Sequence, residues 1–287
     1  FDNKKMLIFT KALEIADFLA IQRNSALKLG FVPTMGALHN GHIALVEKAK
    51  RENDLVIVSI FVNPTQFNNP EDLKNYPKTP EADHKMLDAA GTDILFQPTV
   101  DEVYNHGLKE GKEIDLGKLE RVMEGAHRPG HFKGVVQVVA RLFDIVRPDR
   151  AYFGEKDFQQ LAVIRKMTSD LNYNIEIIGC ETIREKSGLA MSSRNLRLSE
   201  EERKIATQIY KAMEYVRENW KTLGQQEALK NAIERINSHP PLKVEYLEIA
   251  DAKDLQPILN TDESTSARVF AAVFCGGVRL IDNLDIS

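Results

Sequence analysis

Two hydrophobic patterns alternate along this chain. Unbroken apolar, β-branched runs, such as DLVIVSIF at residues 54–61, mark strands covered on both faces. Between them lie stretches whose apolar residues recur every three or four positions, the spacing of amphipathic helices. On that basis residues 7–24 carry a helix from about Thr10 onward. Residues 29–32 form the first strand, which Pro33 is expected to stop. A helix follows, with Ile43, Leu45, Val46 and Ala49 on its apolar side and charges on the other through Arg51. Residues 54–61 are the second strand, so a right-handed βαβ unit is expected. After a polar, turn-rich piece at residues 68–79, Thr79 and Pro80 open a helix that Gly91 ends. Residues 93–97 give a third strand and 135–146 a helix. Residues 150–153 give a short strand that runs into a helix lasting to about Leu171, and 175–179 give a fifth strand. Residues 99–128 mix charges, glycines and short apolar runs and predict no clear element.

The pattern shifts after residue 182. Residues 183–195 (IREKSGLAMSSRN) read as a loop containing Gly and Ser. Ser199 with Glu202 is a capping box opening a helix to about Trp220, and a second helix covers 225–237. Pro240-Pro241 breaks the chain. Residues 244–250, 268–274 and 278–285 then read as strands, the last two joined by a tight hairpin at Cys275-Gly276-Gly277. The expected organisation is a parallel α/β domain over residues 1–182, followed by a smaller α+β domain with antiparallel strands over 183–287.

Composition narrows the function. A chain of 287 residues, 43% apolar, can bury a large core in one or two domains. Its net charge of -4 argues against an electrostatic nucleic-acid binder. Cys180 and Cys275 stand far apart and in no metal-type spacing, which suits a reducing, cytoplasmic compartment. No apolar run reaches membrane length, and the start, Phe1–Lys5, has neither an apolar leader core nor a cleavage site.

Candidate chemistry concentrates where strands end. In Pro33–His42 (PTMGALHNGH) a buried strand turns sharply into a helix carrying His39 and His42. Their spacing puts both imidazoles on one face of the first turn, beside free N–H groups and the positive end of the helix dipole. A plain surface turn is the competing reading. Asn63 and Gln66 follow the second strand, where open α/β sheets bind ligands, against the alternative of an ordinary Asx-Pro turn. Gly154-Glu155-Lys156-Asp157 repeats the strand, glycine, helix-start geometry and places Lys156 for phosphate, though Lys-Asp pairs are also common on surfaces. Ser192, Ser193 and Arg194 suit a mobile phosphate clamp. His127, Arg128, His131 and Lys133 form a basic cluster that reads as a solvated loop or as an anion contact. The chain has no Walker A loop, no GxGxxG, no Ser-hydrolase elbow and no zinc spacing. His39 and His42 could bind a metal, but no third ligand is evident. Phosphate recognition at the end of a parallel sheet remains, and it suits nucleotidyl transfer at an α-phosphate.

Pro33–His42 resembles the His-Xaa-Gly-His signature of the nucleotidylyltransferase superfamily, and Met191-Ser192-Ser193-Arg194 resembles its Lys-Met-Ser-Lys-Ser-type loop. With residues 62–67 (VNPTQF), 153–157 (FGEKD) and 188–195 (GLAMSSRN), the resemblance is to the pantothenate synthetase (pantoate–β-alanine ligase) family and covers residues 7–285. It implies a Rossmann-like parallel sheet with helices on both faces, and condensation of pantoate with β-alanine through a pantoyl adenylate, with release of pyrophosphate and AMP. By resemblance, Met35, Gly36, Ala37, Leu38, His39, Asn40, Gly41 and His42 line the ATP site, with His42 at the position described as proton donor. Gly154, Glu155, Lys156 and Asp157 form its second segment, Lys156 stabilising charge on the α-phosphate, while Ile183 contacts adenine and Met191–Arg194 close over the nucleotide. Gln66 and Gln160, with Asn63 close by, match the pantoate-holding amides, and Gln66 also lies by β-alanine. Mg²⁺ held largely by the ATP phosphates and a homodimer are implied as well. Two rivals remain: another His-Xaa-Gly-His transferase with a phosphorylated acceptor, and a nucleotide-sensing scaffold without turnover.

Overall fold

The computed structural model describes residues 5–104, 107, 111–258 and 266–287, so most of the Phe1–Lys5 start lies outside the described residues. The apolar runs pair into a six-stranded sheet in the order β1-β4-β3-β2-β5-β6. Its strands are β1 (Leu7–Phe9), β2 (Leu29–Thr34), β3 (Leu55–Ile60), β4 (Ile94–Phe96), β5 (Arg150–Gly154) and β6 (Glu176–Cys180), and all its pairings are parallel. A second sheet of β7 (Leu242–Asp251), β8 (Ala267–Cys275) and β9 (Val278–Asp285) is antiparallel. The helices are α1 (Ala12–Arg23), α2 (Asn40–Glu52), α3 (Pro70–Lys74), α4 (Pro80–Ala89), α5 (Val100–Val103), α6 (Met123–His127), α7 (His131–Val146), α8 (Phe158–Asp170), α9 (Glu200–Leu223) and α10 (Gln225–Asn237).

The period of two along each strand sorts the first sheet into two covered faces. Val32, Val58, Leu95 and Tyr152 pack with Leu45, Val46 and Ala49 of α2 and Leu87 of α4. Their neighbours in sequence point the other way: the ring of Phe143 in α7 meets Phe31 edge-on at 6.4 Å and Phe153 at 6.5 Å. This double cover is why the strands read as continuous apolar runs rather than alternating ones. In the second sheet, Val269, Ala271 and Val273 of β8 join a core with Ile209, Met213, Val216 and Trp220 of α9 and Ala232 and Ile236 of α10. On the other side of β8, Phe270 is met by Phe158 at 6.0 Å.

The chain divides into two units. One comprises Phe1–Leu116, Arg128–Glu155 and Gln160–Glu181; the other comprises Gly117–His127, Lys156–Gln159 and Thr182–Ser287. The division therefore follows several passages of the chain rather than one cut at residue 182. The small Phe158 contact explains why the short Lys156–Gln159 segment belongs with the antiparallel sheet.

Several details differ from expectation. Residues 7–9 form an edge strand rather than a helix lead-in; Leu7 and Ile8 are exposed, so no buried face marks them in the sequence. Pro33 lies inside β2 instead of ending it. Thr34 O accepts from Phe61 N on the β3 side, so the adjacent Pro33 faces β5, where pairing has already ended at Phe31. No ladder hydrogen bond is lost there, which removes the usual objection to a strand proline. The polar piece at 68–79 contains α3, capped by Asn69 Oδ1 on Glu71 N at 2.9 Å. The 99–128 stretch contains α5 and α6, and α7 starts at His131 rather than Val135.

Phe143 is fully buried among aromatic neighbours. Phe143→Ala should lower unfolding free energy by about 3–5 kcal/mol, the usual cost of emptying an aromatic core position. Urea unfolding followed by circular dichroism would check this.

Candidate active site

The centre of the first sheet opens because β2 and β5 pair only at Gly30–Arg150 and Phe31–Ala151 before they part. Strand order reverses at this pair, so the crevice beyond their carboxyl ends is where open α/β sheets take ligands. The turn leaving β2 is built from two successive left-handed residues, Gly36 (φ 78) and Ala37 (φ 48). A side chain at Gly36 would also crowd Asp83 and Ile60, each 3.1 Å from its Cβ position. The turn's amides are met from a distance: Asp83 of α4 accepts from Ala37 N at 2.9 Å and Leu38 N at 2.8 Å, and Thr79 Oγ1 donates to it at 2.9 Å. Asp83 is 2% exposed. A negative charge of the protein's own thus occupies these two turn amides.

At that start His39 is the N-cap of α2, in extended conformation. Its Nδ1 accepts from Gly41 N at 3.2 Å, and His42 Nδ1 accepts from His39 N at 3.3 Å, a capping box made by two imidazoles. The ring centroids are 4.1 Å apart. The sequence places both rings on one face, and they are on one face. Because each Nδ1 faces a backbone donor, each neutral ring carries its proton on Nε2, the nitrogen pointing away from the helix backbone.

Beyond β3, Asn63 is the cap of a single 3₁₀ turn, Pro64–Gln66, so the Asx-Pro turn is present. Asn63 is buried and its amide is used within the protein. Nδ2 donates to Gly134 O at 3.2 Å and to Gln66 Oε1 at 3.1 Å, while Oδ1 accepts from Tyr104 OH at 2.7 Å. Burial pushes the Tyr104 hydroxyl's pKa up, which keeps it a donor. Gln66 Nε2 rests on Met35 Sδ at 3.2 Å, joining the two loops. The Gln66 carbonyl accepts from His131 Nδ1 at 2.7 Å and Arg128 Nη2 at 3.3 Å. Gly134 makes this contact possible: a Cβ there would lie 2.5 Å from Thr65 O.

The basic cluster therefore disperses. Arg128 and His131 hold the backbone of Gln66, Lys133 pairs with Glu113 at 2.5 Å, and His127 stacks on Tyr246 at 5.1 Å. The sequence shows these residues only as a basic cluster ahead of a helix expected from Val135, with no sign of a partner 65 residues earlier.

In the second unit, Lys156 has a side chain 17% exposed, with Asp157 Oδ2 at 3.8 Å from Nζ. Residues 183–191 fold back as a hairpin, with Met191 N donating to Ile183 O at 3.0 Å and a bridge between Arg184 and Ala190. Ile183 is exposed. Ser192 caps a 3₁₀ turn by accepting from Arg194 N at 3.3 Å, and Ser193 is buried. A small cavity lined by Lys156, Ala190, Ser192, Asn195 and Asp282 brings the lysine and this loop together. Gly154 ends β5, Glu155 starts the 3₁₀ turn Glu155–Asp157, and Gln160 is half-buried in the first turn of α8.

Among the described residues, no three His, Cys, Asp or Glu side chains form a metal-holding group. Cys180 and Cys275 are buried and free, and burial pushes each thiol's pKa up to about 11, so neither supplies a thiolate at neutral pH. None of the described helices is long and apolar enough to cross a membrane.

A doubly covered parallel sheet with a histidine-capped helix at its switch point defines a nucleotide-using enzyme of the His-Xaa-Gly-His type. The family model described as pantoate-beta-alanine ligase matches residues 7–285. A pantothenate synthetase of Cytophaga hutchinsonii is 48% identical over 98% of this chain and 99% of its own length. One from Porphyromonas gingivalis is 48% identical over 97% of this chain and 99% of its own length. Among solved structures, pantothenate synthetase of Thermus thermophilus superposes with a TM-score of 0.88 at 44% identity, covering 98% of this chain and 99% of that one. Pantoate-beta-alanine ligase of Francisella tularensis, complexed with beta-gamma ATP and beta-alanine, gives 0.82 at 40% identity over 98% of each chain. The chain belongs to the pantoate-beta-alanine ligase family. It is a ligase, and its reaction is the ATP-dependent condensation of pantoate with β-alanine.

Removing the carboxylate that holds the turn, Asp83→Ala, should cost roughly 2–4 kcal/mol of stability, because it strands two buried amides that had a charged acceptor. It should also weaken ATP binding at temperatures where the variant is still folded. Thermal melts with and without ATP would separate the two effects.

Proposed function

We propose that the imidazole pair at the start of α2 is the phosphate-binding and acid-donating centre of this ligase. The observation that carries this reading is the double cap, in which the Nδ1 atoms of His39 and His42 both accept backbone N–H groups at the start of α2 and the two rings lie 4.1 Å apart. Met35–His42 cradle the triphosphate. His42 and His39 donate to phosphate oxygens, and Lys156 stabilises charge at the α-phosphate. Gly154, Glu155 and Asp157 border the nucleotide, Ile183 lies against adenine, and Met191, Ser192, Ser193 and Arg194 close over the phosphates.

Gln66 and Gln160 hold pantoate, and Gln66 also meets β-alanine. Asn63 acts here through Gln66, since its own amide is taken by Gly134, Gln66 and Tyr104. The pantoate carboxylate oxygen attacks the α-phosphorus, the bond to the β-phosphate oxygen breaks, and pyrophosphate leaves. The amine of β-alanine then attacks the acyl carbon, AMP departs with the carboxyl-derived oxygen, and the amine loses a proton. Fixed donors aimed at developing charge supply most of such a rate enhancement. The Francisella tularensis relative, complexed with beta-gamma ATP and beta-alanine, supports carrying the two substrates to this chain.

Mg²⁺ belongs to the same proposal. An ion of this kind keeps most of its waters and rides on the nucleotide's phosphates. Bound there it would neutralise phosphate charge. We also propose a homodimer formed through the first unit, to be checked by light scattering, and a cytoplasmic setting, supported by the two free thiols.

Incubation with ATP and pantoate alone should release pyrophosphate, with AMP appearing only after β-alanine is added. AMP formation indifferent to both compounds would overturn the reading. His42→Ala should leave the fold intact and lower pantoate-dependent pyrophosphate release by about 10²–10⁴-fold, the scale of a lost acid or oxyanion-type donor. A near-normal rate would remove His42 from the chemistry.

A further inference from the structure

Two adjacent residues of β9 stand apart from the nucleotide signatures, yet both are buried: Asp282 is 7% exposed and Asn283 3%. β9 is the edge of its sheet, so its outer side is open to contacts other than β8. Asp282 takes a two-pronged ion pair from Arg184, with Nη1–Oδ2 at 2.6 Å and Nη2–Oδ1 at 2.9 Å. The same guanidinium donates to Gly188 O at 3.1 Å and to Asn283 O at 3.1 Å, and it lies 4.2 Å over the Tyr210 ring. Arg184 is the second residue of the hairpin whose far strand ends in Met191. Asp282 thereby fixes the hairpin that carries Met191–Arg194.

Asn283 faces the other functional segment. Its Nδ2 donates to Lys156 O at 2.9 Å, and its Oδ1 accepts from Arg268 Nη1 at 2.5 Å. A carbonyl on one side and a guanidinium on the other leave one orientation for this amide. Arg268 in turn covers the Phe158 ring at 4.3 Å, two residues beyond Lys156. Asp282 also lines the small cavity onto which Lys156 and Ser192 both open.

We propose that the Asp282–Asn283 pair is a positioning element for adenylation: Asn283 aims Lys156 through its backbone, and Asp282 holds the Met191–Arg194 loop to the same frame through Arg184. The inference rests on the reading of Lys156 and that loop as phosphate-binding groups. Neither β9 residue is a catalytic residue; each acts through another group. Misplacing a group that acts mainly on the transition state lowers kcat more than it raises KM.

The test uses Asn283→Asp, which keeps the shape and the acceptor for Arg268 but removes the donor to Lys156 O. Pantoate-dependent ATP–pyrophosphate exchange should lose about ten- to a hundredfold in kcat, with the KM for ATP within about threefold of wild type and the melting temperature preserved. Added to Lys156→Ala, the same change should cause no further loss, because the side chain it aims is gone. Should Asn283→Asp fail to fold, Arg184→Lys is the second variant; it keeps the charge but loses the fork, and it should raise the KM for ATP while leaving the melting temperature near wild type. An Asn283→Asp rate within twofold of wild type, or a loss fully additive with Lys156→Ala, would overturn the proposal. If Lys156→Ala itself exchanges pyrophosphate at the wild-type rate, the underlying reading of the lysine fails. If Lys156→Ala collapses the rate and Asn283→Asp does not, the positioning inference alone fails.

Discussion

The arrangement depends on one constraint at the middle of the first sheet: β2 and β5 are bonded for two residues and then separate. Up to that point the apolar side chains of β2 and β5, Leu29, Phe31 and Ala151, are fully buried. Past it, the chain must leave the sheet with unpaired amides, and each departing segment meets this need differently. The turn after β2 borrows a carboxylate from α4, and the helix that follows is capped by imidazoles. The turn after β3 is capped by an asparagine side chain that is itself held by α7 and a tyrosine.

Local signals in the sequence carry much of this. The apolar runs give five of the six parallel strands, and the Ser199–Glu202 capping box gives the start of α9 at Glu200. Helical spacing of His39 and His42 gives the pairing of their rings, because three residues apart on a first turn is a local geometric fact. What escapes notice is contact between distant positions. Asp83 sits among ordinary charges of α4 and betrays nothing of the turn 45 residues earlier that it supports. Gly134 reads as one more small residue, although the approach of Thr65 requires it. β1 escapes for a different reason: an exposed three-residue edge strand has too little buried surface to leave a pattern.

The same distinction separates what identifies the family from what makes its site work. The signature residues are short, contiguous and legible. Their supports, Asp83, Tyr104, Gly134, Arg184, Asp282 and Asn283, are scattered over the chain and bear no motif of their own. Gly134 is held by the close approach of Thr65; each of the others meets a buried amide, carbonyl or charge, so it is held by the cost of desolvating a polar group rather than by contact with substrate.

The interleaving of the two units has a consequence for how such a protein can be divided or inherited. The chain passes between them after Leu116, His127, Glu155, Gln159 and Glu181. No single stretch of the gene encodes either unit whole. A fragment ending near residue 181 lacks the antiparallel sheet on which Phe158 packs, and a fragment starting at Thr182 lacks the segments that contribute α6 and Lys156. Neither half can be exchanged by recombination at one junction, so a graft of the smaller unit from a relative must replace three separated segments at once.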